Sequence, residues 1–244
     1  MARYFMEVSY KGTNYAGFQV QKNANSIQAE IEKALNIFLR TPVSLTGSSR
    51  TDTGVHALQN YFHFDFEPTQ KMDWAKTAYR LNAILPPDIV IKHITHVDDK
   101  AHCRFDAKFR TYEYSIYQSK NPFLADRSYY YPYKLNMELL NEAAAILKTY
   151  TSFEAFSKRN TQVKSFECEL YESKWITRDA ILIYRVSGNR FLRGMVKGLV
   201  GTMLKVGRKK TTIPEFIKII ESRDSALVDF SVDAQGLTLV AVSY

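Results

Sequence analysis

Cysteine is nearly missing from these 244 residues: only Cys103 and Cys168 occur, and neither sits in a C-x-x-C or a Cys/His cluster with ligand spacing. That excludes a disulfide framework and a zinc ribbon. The five histidines, His56, His63, His93, His96 and His102, form no H-E-x-x-H motif. His93 and His96 stand three apart in a strand-like run, where their side chains are expected on opposite faces. No metal site is expected. Glycine (10) and proline (7) are too scarce for a fibrous or linker-rich chain. No charge-free apolar run approaches the ~20 residues of a membrane span. Glu7 interrupts the N-terminus before an export-signal core forms. The reading is a cytoplasmic protein with no membrane partner.

What is present is a globular composition, 45% hydrophobic and 24% charged, long enough for one large core or two of about 120 residues each. The net charge of +8 is unevenly placed. Between Ala180 and Pro214 stand Arg185, Arg190, Arg193, Lys197, Lys205, Arg208, Lys209 and Lys210, with no acid among them. A local positive field of this kind suits a polyphosphate partner, nucleic acid before anionic membrane, and competes with the plainer reading of a solvated basic face.

Strand-like and helix-like segments interleave from end to end. Arg3 to Tyr10 alternates as a strand, Ser26 caps a helix carrying Ile27, Ile31, Leu35 and Phe38, and Gln59 to Phe66 puts Phe62, Phe64 and Phe66 on one side of a strand. A short strand is expected at Val43 to Thr46. Asp73 opens a second helix running through Leu85 to Pro86-Pro87, and Ile89 to Val97 returns as a strand. The second half repeats the scheme. Strands are expected near Thr111 to Tyr117, Glu167 to Ile176, Ala180 to Ser187 and Leu237 to Tyr244, with helices near Asn136 to Tyr150, Phe191 to Val206 and Pro214 to Ser222. The fold class is therefore α+β, in two halves, 1–105 and 106–244. No linker marks the boundary, so one continuous sheet is expected to serve both.

Projected at 100° per residue, a helix from Phe191 puts Leu192, Met195, Val196, Leu199, Val200 and Met203 on one face and Arg190, Arg193 and Lys197 on one flank. Gly194, Gly198 and Gly201 cluster beyond that flank. Glycines inside a helix cost roughly 0.5 to 1 kcal/mol each, so a close approach is expected there, either tight packing or a ligand.

The densest chemistry lies in Gly47-Ser48-Ser49-Arg50-Thr51-Asp52-Thr53-Gly54-Val55-His56-Ala57, a loop rich in turn-forming residues. Thr51-Asp52-Thr53-Gly54 taken alone reads as a turn. Arg50 favours an ionised Asp52 where the two side chains meet, which suits a nucleophile or base. Asp52-Thr53-Gly54 also raises an aspartic protease, but no second such tripeptide is present, and peptide hydrolysis has no use for the basic stretch.

The segment Arg50 to Ala57 resembles the catalytic signature of the tRNA pseudouridine synthases of the TruA type. The resemblance extends in order through Tyr10 to Gln21, Leu81 to Ile89, Arg104 to Tyr114, Asn121 to Phe123, Phe191 to Lys197 and Gly236 to Val242. It implies the pseudouridine synthase fold, two similar halves on a largely antiparallel sheet with helices packed on one side. It also implies isomerisation of uridine in the anticodon stem-loop of tRNA by a homodimer, with no cofactor. The target nucleotide must then be flipped out of its stack. Asp52 matches the family's catalytic aspartate, as nucleophile or as base in a glycal route. Tyr112 matches the tyrosine that stacks on the target base, and Arg50 matches the arginine that engages the RNA. Arg190, Arg193, Arg208, Lys209 and Lys210 are the expected RNA contacts.

Three positions depart from the family's pattern. Ser49 stands where glycine usually precedes the signature arginine, and Ser152-Phe153 follows Tyr150-Thr151 where an aspartate is frequent. Lys197 occupies the place of the active-site arginine on the glycine-rich helix. It is expected to compensate the Asp52 carboxylate, without a guanidinium's bidentate fork. An RNA-binding protein on the same scaffold with little catalysis is the alternative.

Overall fold

The computed structural model describes residues 1–159 and 163–244. In chain order the elements are β1 (Ala2–Tyr10), α1 (Ile27–Leu39), β2 (Thr46–Gly47), β3 (His56–Phe66), α2 (Trp74–Asn82), β4 (Ile89–Val97), β5 (Phe109–Tyr117), β6 (Tyr129–Tyr130), α3 (Met137–Leu147), β7 (Leu170–Arg178), β8 (Ile181–Gly188), α4 (Met195–Gly207), α5 (Ile213–Glu221) and β9 (Leu237–Ser243). The fold is α+β. It divides into two compact units, Met1–Lys108 with Thr238–Tyr244, and Phe109–Leu237. The terminal strand thus belongs with the first unit, where it lies parallel to β3 with His56 opposite Thr238.

In the first unit β1 lies between β3 and β4, antiparallel to both. Tyr4, Met6, Val8 and Tyr10 are buried, as the alternation of β1 requires, and so are Phe62 and Phe64 of β3. Ser26 accepts the Ala29 N–H and Asp73 the Lys76 N–H, so both helices open on the expected caps. The expected strand at Val43 to Thr46 is displaced to Thr46–Gly47. The reason is that α1 side chains take its backbone donors, Asn36 accepting from the Val43 N–H and Glu32 from the Leu45 N–H. Likewise α2 stops at Asn82, whose amide makes two 2.8 Å hydrogen bonds to the backbone of Ile91 and ties the helix end to β4.

In the second unit β8 runs antiparallel to β5 on one side and to β7 on the other. Helix α3 packs on β7 and on α4. Helix α4 does not begin at Phe191. The chain reaches it through a turn in which Gly194 takes a left-handed φ of 75°, a conformation glycine adopts without a Cβ penalty. Arg190 and Arg193 therefore lie outside the helix, and the flank they were expected to share with Lys197 does not exist as a helical face. Gly198 and Gly201 do lie within α4. A Cβ on Gly198 would come within 2.8 Å of Phe230 and 2.9 Å of Val228, and one on Gly201 within 2.2 Å of the Asp229 carbonyl oxygen. The close approach is made by the chain itself.

Candidate active site

The loop from Gly47 to Ala57 is held from beneath by buried polar groups of the first unit. Thr51 is buried while its neighbours Arg50 and Asp52 are exposed. The inward Thr51 hydroxyl meets the Tyr10 hydroxyl at 2.9 Å, and the Phe18 N–H donates to the Thr51 carbonyl at 3.0 Å. Asn60, fully buried in the aromatic strand β3, donates through its amide to the Tyr10 hydroxyl and to the Ser49 carbonyl, each at 3.1 Å. A turn closes Asp52 to Val55 by a 3.1 Å bond from the Val55 N–H to the Asp52 carbonyl, with Gly54 at φ 79° in its third position.

The opening block of the chain forms the other wall. A Cβ on Gly12 would lie 2.1 Å from the Val55 carbonyl oxygen, and the Gly12 N–H donates to His56 Nδ1 at 3.0 Å. His56 is buried and its Nδ1 accepts, so its proton sits on Nε2. Gly17 has a φ of 99°, and a Cβ there would meet the Thr51 carbonyl oxygen at 3.0 Å. A Cβ on Gly47 would enter the Phe18 ring, which itself stacks on Phe62 at 4.7 Å. The Tyr10 to Gln21 and Arg50 to Ala57 segments are thus two sides of one packed object, with the Asp52 carboxylate facing solvent at its tip.

Arg50 and Asp52 make no ion pair with each other among the described residues; both are exposed on either side of the buried Thr51. Below the loop, His63, His102 and Cys103 bring metal-ligand-type atoms within 4.8 Å of one another. Their atoms have protein partners. The Cys103 thiol donates to the Thr46 carbonyl at 3.1 Å, His63 Nδ1 accepts the Cys103 N–H at 3.3 Å, and His102 Nδ1 accepts the Arg104 N–H at 3.2 Å. This cluster pins β2, which leads directly into the loop.

In the second unit Tyr112 sits on β5, 9% exposed, with its ring edge-on to Phe191 at 5.0 Å. Within α4 only Lys197 and Lys205 are not buried. Two cations of the basic stretch are neutralised by acids. Arg185 bridges Glu113 (2.6 Å) and Glu172 (2.9 Å), and Lys205 pairs with Asp229 (3.2 Å). Arg190 is half-buried beside Cys168, whose thiol is pushed up to about 11 by burial against a smaller opposing effect of the arginine. Arg193, Lys209 and Lys210 are exposed, and Arg208 is half-buried over a tyrosine ring. Asn60, Tyr10 and Gly12 were not singled out from sequence as parts of the site. The available signal was an amide inside an otherwise aromatic strand.

The family model for tRNA pseudouridine synthase matches residues 6–106 and 148–244, which include the loop, its supporting wall and α4. The chain belongs to the tRNA pseudouridine synthase family. It is 41% identical over 244 residues to the tRNA pseudouridine synthase A of Parabacteroides distasonis, covering 100% of this chain and 96% of that one. The enzyme of the same name from Bacteroides thetaiotaomicron is 41% identical over 247 residues, covering 100% and 91%. The Staphylococcus aureus enzyme is 36% identical over 239 residues, covering 97% and 89%. The match to the family includes Asp52 and Lys197, so this member carries the loop aspartate together with a lysine on α4.

Proposed function

We propose that this chain isomerises uridine to pseudouridine in the anticodon stem-loop of tRNA, with Asp52 as the group that acts on the flipped nucleotide. The observation that carries the reading is a solvent-facing carboxylate on a loop whose backbone is fixed by buried hydrogen bonds. Such fixing is what a reacting group needs, because placement within a fraction of an ångström sets the rate. The reaction breaks the bond between uracil N1 and ribose C1′, forms one between C5 and C1′, and transfers a proton from C5 to N1. Atoms and electrons balance without an oxidant or a metal. Asp52 serves either by attacking the sugar or by removing a ribose proton in a glycal route. A binding module without catalysis gains nothing from an exposed carboxylate beside phosphates.

Tyr112 is assigned to stacking on the target base, Arg50 to engaging the RNA, and Lys197 to the cationic role of the family's helix arginine. Arg190, Arg193, Arg208, Lys209 and Lys210 are assigned to the phosphate backbone, consistent with the pairing of Arg185 and Lys205 to acids. The working species is a cytoplasmic homodimer. The deciding experiment is pseudouridine mapping after incubation with tRNA transcripts, wild type against Asp52→Asn. The near-isosteric change is expected to abolish isomerisation and keep tRNA affinity within a few-fold. Residual turnover above a few per cent would move the catalytic role elsewhere.

A further inference from the structure

We infer that the end of α4 in the second unit carries a preorganised site for the RNA phosphate backbone, built by Arg208 on a tyrosine ladder, distant from the reacting uridine. This rests on the reading of the chain as a tRNA enzyme, and it adds Tyr131, Tyr133 and Lys134, which no sequence motif singled out. The Arg208 guanidinium lies 3.7 Å from the centre of the Tyr133 ring and 6.0 Å from that of Tyr131. Tyr129, Tyr131 and Tyr133 alternate along one extended segment, with ring centres 5.7 and 4.9 Å apart in succession. The segment is anchored at both ends of this contact. Gln118 donates to the Tyr133 carbonyl, and the Asn136 N–H donates to the Gly207 carbonyl at 2.9 Å.

The surroundings point to an anion. Lys134, Lys209 and Lys210 are exposed, and none of the four cations here has a carboxylate partner among the described residues. Arg185 and Lys205, by contrast, are both paired. Attraction to the carbonyl end of α4 accounts for a cation or two near its last turn, yet it asks for no aromatic support. Tyr133 is 46% exposed and spends its ring face on the guanidinium. Held 3.7 Å over that ring centre, the guanidinium gives up rotamer freedom before binding and keeps its N–H donors for a phosphate. A ribose-phosphate strand meets that geometry and the three flanking ammonium groups together. By helical rise, Arg208 lies about 16 Å from Lys197 along α4, so the bound phosphates belong to nucleotides away from the one being isomerised.

The test uses the full chain and a tRNA transcript, with affinity measured against KCl concentration and turnover measured alongside. Lys209 closes α4 in a left-handed conformation, φ 60°, that favours glycine, so Lys209→Gly removes its charge without harming the fold. The triple variant Arg208→Gln/Lys209→Gly/Lys210→Gln is expected to lower the slope of log K against log salt by about two to three and to raise Kd at least about tenfold near physiological salt. Tyr133→Leu keeps every charge and frees the guanidinium. Kd is expected to rise about two- to fivefold with the slope unchanged, while Tyr133→Phe restores wild-type binding. Lys148→Gln, an exposed lysine elsewhere in the second unit, serves as the control. Wild type binding tRNA with a triple variant of equal slope and Kd overturns this site and leaves the enzymatic reading standing. A triple variant that loses sedimentation mass but not RNA affinity also overturns it, assigning the surface to a second copy of the chain. A wild type that neither binds nor isomerises tRNA removes the enzymatic reading itself.

Discussion

Asn60 offers the sharpest test of how the loop is held. Its side chain makes three hydrogen bonds in a fully buried setting, to the Tyr10 hydroxyl, the Ser49 carbonyl and the Tyr61 N–H. Asn60→Leu keeps the volume and removes all three. Two lost neutral bonds are worth about 1 kcal/mol each, and a buried carbonyl at Ser49 left without its donor adds about 1 kcal/mol or more. The expected loss is about 2 to 4 kcal/mol, below the 5 to 15 kcal/mol typical of a whole protein, so the variant still folds. The effect on rate is expected to be larger than the effect on affinity. The released backbone at Ser49 is three residues from Asp52, and about 1 Å of misplacement at a reacting group lowers a rate by about a hundredfold.

Urea denaturation at constant m-value measures the first quantity, and single-turnover isomerisation at saturating tRNA the second. Tyr10→Phe supplies the internal check. Its hydroxyl joins Asn60 to Thr51, so the two substitutions share one bond. The double variant should lose less than the sum of the singles, by at least about 0.5 kcal/mol. Asn60→Leu with under about 0.5 kcal/mol of destabilisation, or with undiminished single-turnover rate, refutes the view that this network positions the loop.

Three further outcomes are expected. His63 is buried, and desolvation first, then the nearby Arg3 charge, hold its imidazole down at about 4. The unfolded chain therefore takes up a proton near pH 6.5 that the folded one refuses, so stability is full above that value and falls by up to about 3 kcal/mol as pH drops towards 4. His63→Leu should flatten the denaturation profile across this window, and an unchanged profile assigns the acid sensitivity elsewhere. Gly201→Ala drives a methyl to 2.2 Å from the Asp229 carbonyl oxygen and should destabilise by about 1 to 3 kcal/mol in thermal unfolding. A neutral result would show that the 228–230 segment moves freely. Lys197→Arg should keep turnover or raise it, and Lys197→Met should lose most of it. Equal rates for both variants in the pseudouridine assay would refute the role proposed for Lys197.

Caps and alternation were legible in the sequence because they are local. Ser26 and Asp73 each cap the helix they precede, and the buried faces of β1 and β3 follow from residues two apart; the Thr212 cap, ahead of a helix expected only from Pro214, was not among them. The start of α4 was not legible. Leu192 continues the apolar period of Met195, Val196 and Leu199, and only the positive φ of Gly194 separates them. The loop around Asp52 was legible in its turn-forming residues, but the network under it was not, since Asn60 reaches Tyr10 across 50 positions and Ser49 across 11.

The basic stretch shows why counting charges is weaker than placing them. Eight cations with no intervening acid read as one field along the chain. Folding brings Glu113 and Glu172 to Arg185, and Asp229 to Lys205, from outside the stretch. Those two cations are screened by fixed partners and contribute little to the attraction felt by a polyanion. The charge left without an acid at the end of α4, Arg208, Lys209 and Lys210, is joined by Lys134 from another part of the chain. Salt dependence of tRNA binding should therefore follow this spatial grouping. Neutralising Arg185 should leave the slope nearly as it was and lower stability modestly instead, because Glu113 and Glu172 would lose their shared cation and keep only Arg178 at 3.6 Å and Lys174 at 2.7 Å respectively.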